Sequence, residues 1–244
     1  MRDLERLYVA CGFIVKPSAA ARLCDSKGLE SSVLPELTPH DAIAFERKMW
    51  RAKRIARILA HLPFVRAIAV CNSLGFNMVH EESDIDLFII SAPGRVWSAR
   101  WWVTGCLALL RQRPGEARRD PICASFFIDE SIKTVDHLMI DRDIYFFYWV
   151  RSLMPLVGGH VLFENSAETA PEFRVSKNKK FQTIFEWCIK IIPESFLRAQ
   201  QKRIMPAELM SVANKNTAVV LSDTVIKLHS ADRREIIRDF VFPS

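Results

Sequence analysis

The chain has no Cys-x-x-Cys pair. Its six cysteines, at positions 11, 24, 71, 106, 123 and 188, are scattered over 244 residues. That spacing argues against a zinc knuckle or a thioredoxin-type couple and fits a reduced, cytoplasmic setting. No stretch of about 18 apolar residues runs uninterrupted by charge, so no transmembrane helix is expected. The first residues, MRDLERLYVACGF, hold no sustained apolar region and no cleavage site, so no secretory signal is expected. Internal repeats and low-complexity tracts are also missing. What the chain does have is apolar material: half its residues are hydrophobic, which separates it from disordered sequences. The length allows one large or two small domains. The net charge of +6 is compatible with an anionic partner without requiring one.

The most informative stretch is 64–90, FVRAIAVCNSLGFNMVHEESDIDLFII. Residues 64–71 are apolar except for Arg66 and rich in β-branched side chains, as a buried strand requires. Residues 85–90 form a second run of the same kind, and two acids open it. Asp84 and Asp86 are separated only by Ile85, so strand alternation points both carboxylates the same way, with Cα atoms about 6–7 Å apart. Two such charges repel each other. A divalent cation is the simplest compensation, and oxygen ligands point to magnesium. Between the strands, Asn72-Ser73-Leu74-Gly75 reads as a turn opening a short helix, whose amides and hydroxyl suit a phosphate.

Asn72-Ser73, a spacer, and then Ser83-Asp84-Ile85-Asp86-Leu87 resemble the DNA polymerase β-like nucleotidyltransferase superfamily. That family carries Gly-Ser, a spacer, and Asp-x-Asp opening a strand, and SDIDL is the form found in its minimal bacterial members. The resemblance implies an α/β (α+β) core with a mixed sheet and a metal site at Asp84 and Asp86. It also implies Mg2+ or Mn2+ as cofactor and an NTP such as ATP as donor substrate. Two departures stand out. The family glycine is Asn72, which is among the residues that best tolerate a left-handed backbone. The family's third carboxylate is expected on the strand at 121–129, PICASFFID. There alternation groups Cys123, Ser125, Phe127 and Asp129 on one face, and Ser125 stands where the acid is expected. The catalytic base is then Asp129, at the strand end, or it is missing.

Elsewhere the reading rests on periodicity. Residues 1–40 read as a helical lead-in. A helix at 41–61 has Ala42, Phe45, Trp50, Ile55 and Leu59 among its apolar positions, and Arg47, Lys48, Arg51, Lys53, Arg54 and Arg57 on its other face. That face is a solvated surface or a seat for a polyanion. A largely apolar helix at 95–111 reads as buried. Asp141 is placed to cap a helix over 144–154, and amphipathic helices are expected at 181–192 and 194–205. Residues 217–221 fit a strand or a helical turn equally well. The domains expected are therefore the lead-in at 1–40, a nucleotidyltransferase core at 41–135, and a mainly helical C-terminal domain at 136–244.

Lys227, His229, Arg233 and Arg234 cluster in an otherwise apolar tail. With Ser230 as cap, Arg233 and Arg234 fall in the first turn of a last helix, where cations oppose the helix dipole unless an anion is near. Lys227, Arg233 and Arg234 are thus expected, with Asn72 and Ser73, to hold the nucleotide phosphates. The reaction implied by the resemblance moves a nucleoside monophosphate from an NTP to an acceptor hydroxyl on a small molecule, an RNA end or a protein. The alternative is a non-catalytic nucleotide-binding or protein-interaction module on the same fold. A third reading is nucleic-acid binding through the helix at 41–61.

Overall fold

The computed structural model describes residues 39–76, 78–132, 135–158, 180–229 and 232–242. The lead-in expected at 1–40 therefore lies almost wholly outside the described residues. The architecture is mixed α/β. Helix α1 (Pro39–Leu59) leads into strand β1 (Val65–Val70), the short helix α2 (Asn72–Gly75) and strand β2 (Ile85–Ser91). Helix α3 (Val96–Leu109) crosses to strand β3 (Ile122–Asp129). Then come α4 (Ile144–Arg151), β4 (Met154–Val157), α5 (Lys180–Ile189), α6 (Glu194–Ile204), α7 (Ala207–Val212), β5 (Val219–Leu221), β6 (Val225–Leu228) and α8 (Arg234–Val241).

Among the described residues, six strands form one sheet in the order β4-β1-β2-β3-β6-β5. Only β2 and β3 pair in parallel, as the intervening helix α3 allows; the other neighbours are antiparallel. Three of the strands come from the region expected to be a mainly helical C-terminal domain. Helices make up most of that region's elements among the described residues, but its strands join the sheet of the core: β4 extends one edge beside β1, and β5 and β6 extend the other beside β3. Gly158 closes β4 with φ +68°, and a Cβ there would collide with the Arg66 carbonyl on β1, so no other residue fits that crossing.

Each face of the sheet has its own core. Ile68, Val70, Ile85, Leu87 and Ile89 pack with Ala52, Ala56 and Leu59 of α1, Trp97 and Val103 of α3, and Leu197 of α6. Ala67, Ala69, Phe88, Ile90, Phe126 and Ile128 pack on the other side with Phe146, Trp149 and Leu153. Period-2 alternation along β1 and β2 produces this division. Strand β3 breaks it. Asp86 pairs with Cys123, but Phe88 pairs with Phe126, so β3 carries one extra residue. Ile122 and Phe127 consequently share the α1 side, while Phe126 and Ile128 lie on the other. The expected face shared by Cys123, Ser125, Phe127 and Asp129 is therefore corrected by a β-bulge.

Helix α1 also departs from expectation. Trp50, expected among its apolar positions, is exposed, with the Arg54 guanidinium 5.6 Å from its ring centre. Lys48, expected on the charged outer face, is wholly buried. The cap expected from Asp141 comes instead from Asp143, which accepts from Phe146 N at 2.9 Å. Helix α4 stops at Arg151, and Met154 already belongs to β4.

Candidate functional site

The turn between β1 and β2 is the centre of the site. Asn72 has φ +54°, the left-handed conformation that asparagine tolerates better than most side chains. Its amide joins two walls. The Oδ1 atom accepts from Trp149 Nε1 of α4 at 2.6 Å, which leaves the amide nitrogen to donate to Asp86, its other hydrogen-bond partner. The Asp86 carbonyl accepts from Cys71 N at 3.0 Å, fastening the turn to the start of β2.

Asp84 and Asp86 lie at the beginning of β2, beside the beginning of β3. Burial pushes the Asp86 carboxyl up to about 6, the Asn72 amide opposes this, and the neighbouring Asp84 charge adds to it. Asp84 is also raised by burial, with Lys48 the opposing charge. Neither carboxylate forms a salt bridge with a protein cation among the described residues; Lys48 ion-pairs with Asp120 instead. The flanking thiols are neutral: burial pushes Cys71 well up and takes Cys123 to about 12, with the charge of Asp86 adding in both cases. Among the described residues no three His, Cys, Asp or Glu side chains are arranged to hold a metal ion.

On the same side of the sheet is a cavity of about 280 Å³. Asn72, Ser73 and Phe76 line one wall, Phe146 and Trp149 another, and Lys227, His229 and Arg233 a third. The pairing of β3 with β6, with Phe126 opposite Lys227, brings that third wall into place. Four of the expected phosphate contacts, Asn72, Ser73, Lys227 and Arg233, thus meet in one space, and Arg234 also touches it.

The charged wall is not uniform. Arg234 is buried with every donor occupied. It bonds the Asp143 carboxylate and the Leu138 carbonyl at 2.8 Å each, both Asp232 oxygens, and Thr217. The expectation that Arg234 binds phosphate is corrected: it has no N–H left to offer. Arg233 is exposed and makes no ion pair among the described residues. The cap expected from Ser230 lies outside the described residues. Asp232 supplies an acid there, accepting from Arg234 N at 3.0 Å. Lys227 Nζ donates to the Thr217 carbonyl at 2.7 Å and to Asp232 at 3.3 Å. Burial, and then the neighbouring Arg234, bring it down to about 8. His229 is lowered by burial and by Lys227. Burial opposes the charge of Asp232, yet its bonds to Arg234 and the charge of Lys227 hold it at about 2.

Asp129 is not part of this group. It pairs in register with Ser91, five residues along from Asp86, roughly 16 Å away at ~3.3 Å per residue. Its carboxylate is buried and accepts from Gly94 N and from Ser131 N, the latter at 2.8 Å, which is a turn-fixing role. The residue beside Asp86 on β3 is Cys123, and the one at the cavity is Ser125.

Comparisons with protein-family models, curated proteins and solved structures found no match for the chain. Sequence reasoning missed Trp149 and Lys48. Trp149 sits in an aromatic run that reads as core. Lys48 sits in a basic helix face, and no local signal separates it from its solvated neighbours.

Proposed function

We propose that the chain is a metal-dependent nucleotidyltransferase, moving a nucleoside monophosphate from an NTP to an acceptor hydroxyl. The observation that carries this reading is the meeting of Asn72-Ser73 and a cationic wall around one cavity, with Asn72 hydrogen-bonded to the Asp86 carboxylate beside it. The donor set suits a hard cation: two carboxylates that form no salt bridge among the described residues, flanked by neutral thiols. Magnesium commonly takes one or two carboxylates and completes its shell with water and substrate phosphates. When bound, such an ion would neutralise phosphate charge and lower the pKa of the acceptor. Lys227 and Arg233 offer charge to the outer phosphates. Ser73 adds a hydroxyl on the facing wall, and Asn72 holds Asp86 in orientation while Trp149 holds Asn72. Positioning and charge neutralisation carry most of phosphoryl-type transfer, and these residues supply both.

A non-catalytic nucleotide-binding module is the second reading. It is favoured by Cys123 standing beside Asp86 and by Asp129 lying at the far end of the strand. One experiment separates the two. The protein is incubated with each NTP and magnesium, with and without cell extract, while binding and pyrophosphate release are followed. Magnesium-dependent pyrophosphate release with a labelled acceptor supports transfer. Binding without release supports the second reading, and no binding rejects both.

A further inference from the structure

Lys48 is one of the largest fully buried side chains, yet it is a cation in the middle of a helix. All three of its N–H groups are used. Nζ donates to the carbonyls of Ser83 at 2.5 Å and Glu81 at 3.2 Å, and lies 2.9 Å from Asp120 Oδ1. The neighbouring Arg47 grips the same two segments from the solvent side. Its Nε bonds Asp120 at 2.8 Å and its terminal nitrogen bonds Glu81 at 2.9 Å. Burial opposes the charge of Asp120, yet Arg47 and Lys48 together hold its carboxyl at about 2.

The segments held are the two that deliver the acid pair. Ser83 immediately precedes Asp84. Asp120 lies two residues before the strand that flanks Asp86, and Ile85 N donates to the carbonyl of the intervening Pro121 at 2.8 Å. One turn of α1 therefore sets both the height of Asp84 and the register of β2 on β3. Buried ion pairs are weak contributors to stability, because desolvation offsets most of their attraction. Well-packed apolar side chains in place of the whole pair would serve a purely structural role at least as well. What an apolar residue could not do is bond two loop carbonyls and one carboxylate at once.

We propose that Lys48, with Arg47 and Asp120, is a positioning clamp that pre-sets Asp84 and Asp86 for a divalent cation. The proposal rests on the reading of that pair as a metal site. Lys48 touches neither substrate nor metal; it acts through the Glu81–Ser83 turn and the start of β3.

The test uses the full chain and Mn2+ alone, with binding followed by electron paramagnetic resonance. Wild type, Lys48→Met, Arg47→Ala and Asp86→Asn are compared, with thermal unfolding measured for each. Residues that orient metal ligands typically change affinity by about 10–100-fold. The expected result is a rise of about tenfold or more in the Mn2+ dissociation constant for Lys48→Met and a smaller rise for Arg47→Ala, with no binding by Asp86→Asn. Folded Lys48→Met and Arg47→Ala proteins that bind Mn2+ within about twofold of wild type overturn the clamp and leave the metal site standing. If Lys48→Met does not fold, Arg47→Ala decides, since it is the solvent-facing half of the same clamp. A wild-type protein that binds no Mn2+, or an Asp86→Asn protein that binds it normally, overturns both the metal site and the clamp.

Discussion

Arg233 and Arg234 are neighbours in sequence with opposite roles. Arg234 is enclosed by Asp143, Asp232, Thr217 and Leu138, so its loss strands the buried Asp143 carboxylate and weakens the hold on the part-buried Asp232. Arg234→Ala is expected to cost about 3–5 kcal/mol, the range for breaking a buried pair, as read by urea denaturation. Arg233→Ala is expected to change stability by no more than about 0.5 kcal/mol. It should instead raise the NTP dissociation constant several-fold, by a margin that narrows at high salt. Equal destabilisation by the two would contradict the assignment. At the acid pair, Asp84→Asn and Asp86→Asn should each abolish magnesium-dependent pyrophosphate release without loss of stability, because each removes a like-charged neighbour. Full pyrophosphate release by Asp86→Asn would remove the basis for the metal site.

The turn carrying Asn72 tests the same site at the level of an element. Asn72→Gly keeps the left-handed backbone but deletes the bridge from Trp149 to Asp86; Asn72→Ala deletes the bridge and adds strain of about 1–2 kcal/mol. The glycine variant should be the more stable of the two by thermal melting, while both lose nucleotide affinity. If the alanine variant matches the glycine variant, the left-handed turn is not a constraint. This turn and the Asp-x-Asp strand were legible in the sequence because their signals are local: a tolerant residue where φ is positive, and acids in alternation. Of the strands of the second half, only β5 had a trace in the sequence, at 217–221, where a strand and a helical turn fitted equally well. β4 is four residues with Pro155 among them, tolerated because β4 is an edge strand, and β5 is three. Neither is long enough for a period of two to register. The bulge in β3 was hidden for a related reason: an extra residue is visible only against its partner strand. The fate of Lys48 depended on carbonyls 33 and 35 positions away, a relation that no helical periodicity encodes.

For the molecule as a whole, the shifted carboxyls act in opposite directions as pH changes. Asp120 and Asp232 are held at about 2 in the fold, against an ordinary 3.8. Their depressed values mean that the stability they contribute is complete above about pH 4 and is lost as pH falls towards 2. Asp86 has the reverse sign. Raised to about 6, it favours the fold when protonated, so its ionisation costs stability as pH rises from about 4 through 6. In metal-free buffer, Asp86→Asn should therefore melt higher than wild type at pH 7, with the gap closing by pH 4, whereas acid unfolding below pH 4 should be the same in both. A gap that widens on acidification would reverse the assigned shift. The order of strands has one more implication, and it concerns synthesis. β1, β2 and β3 leave the ribosome before the other strands, carrying the acid pair, but the wall with Lys227 and Arg233 arrives only with β6 and α8. On the proposed nucleotide reading, a nascent chain would thus display its carboxylates long before it could retain a ligand, and translation would have to pass β6 before nucleotide could aid folding.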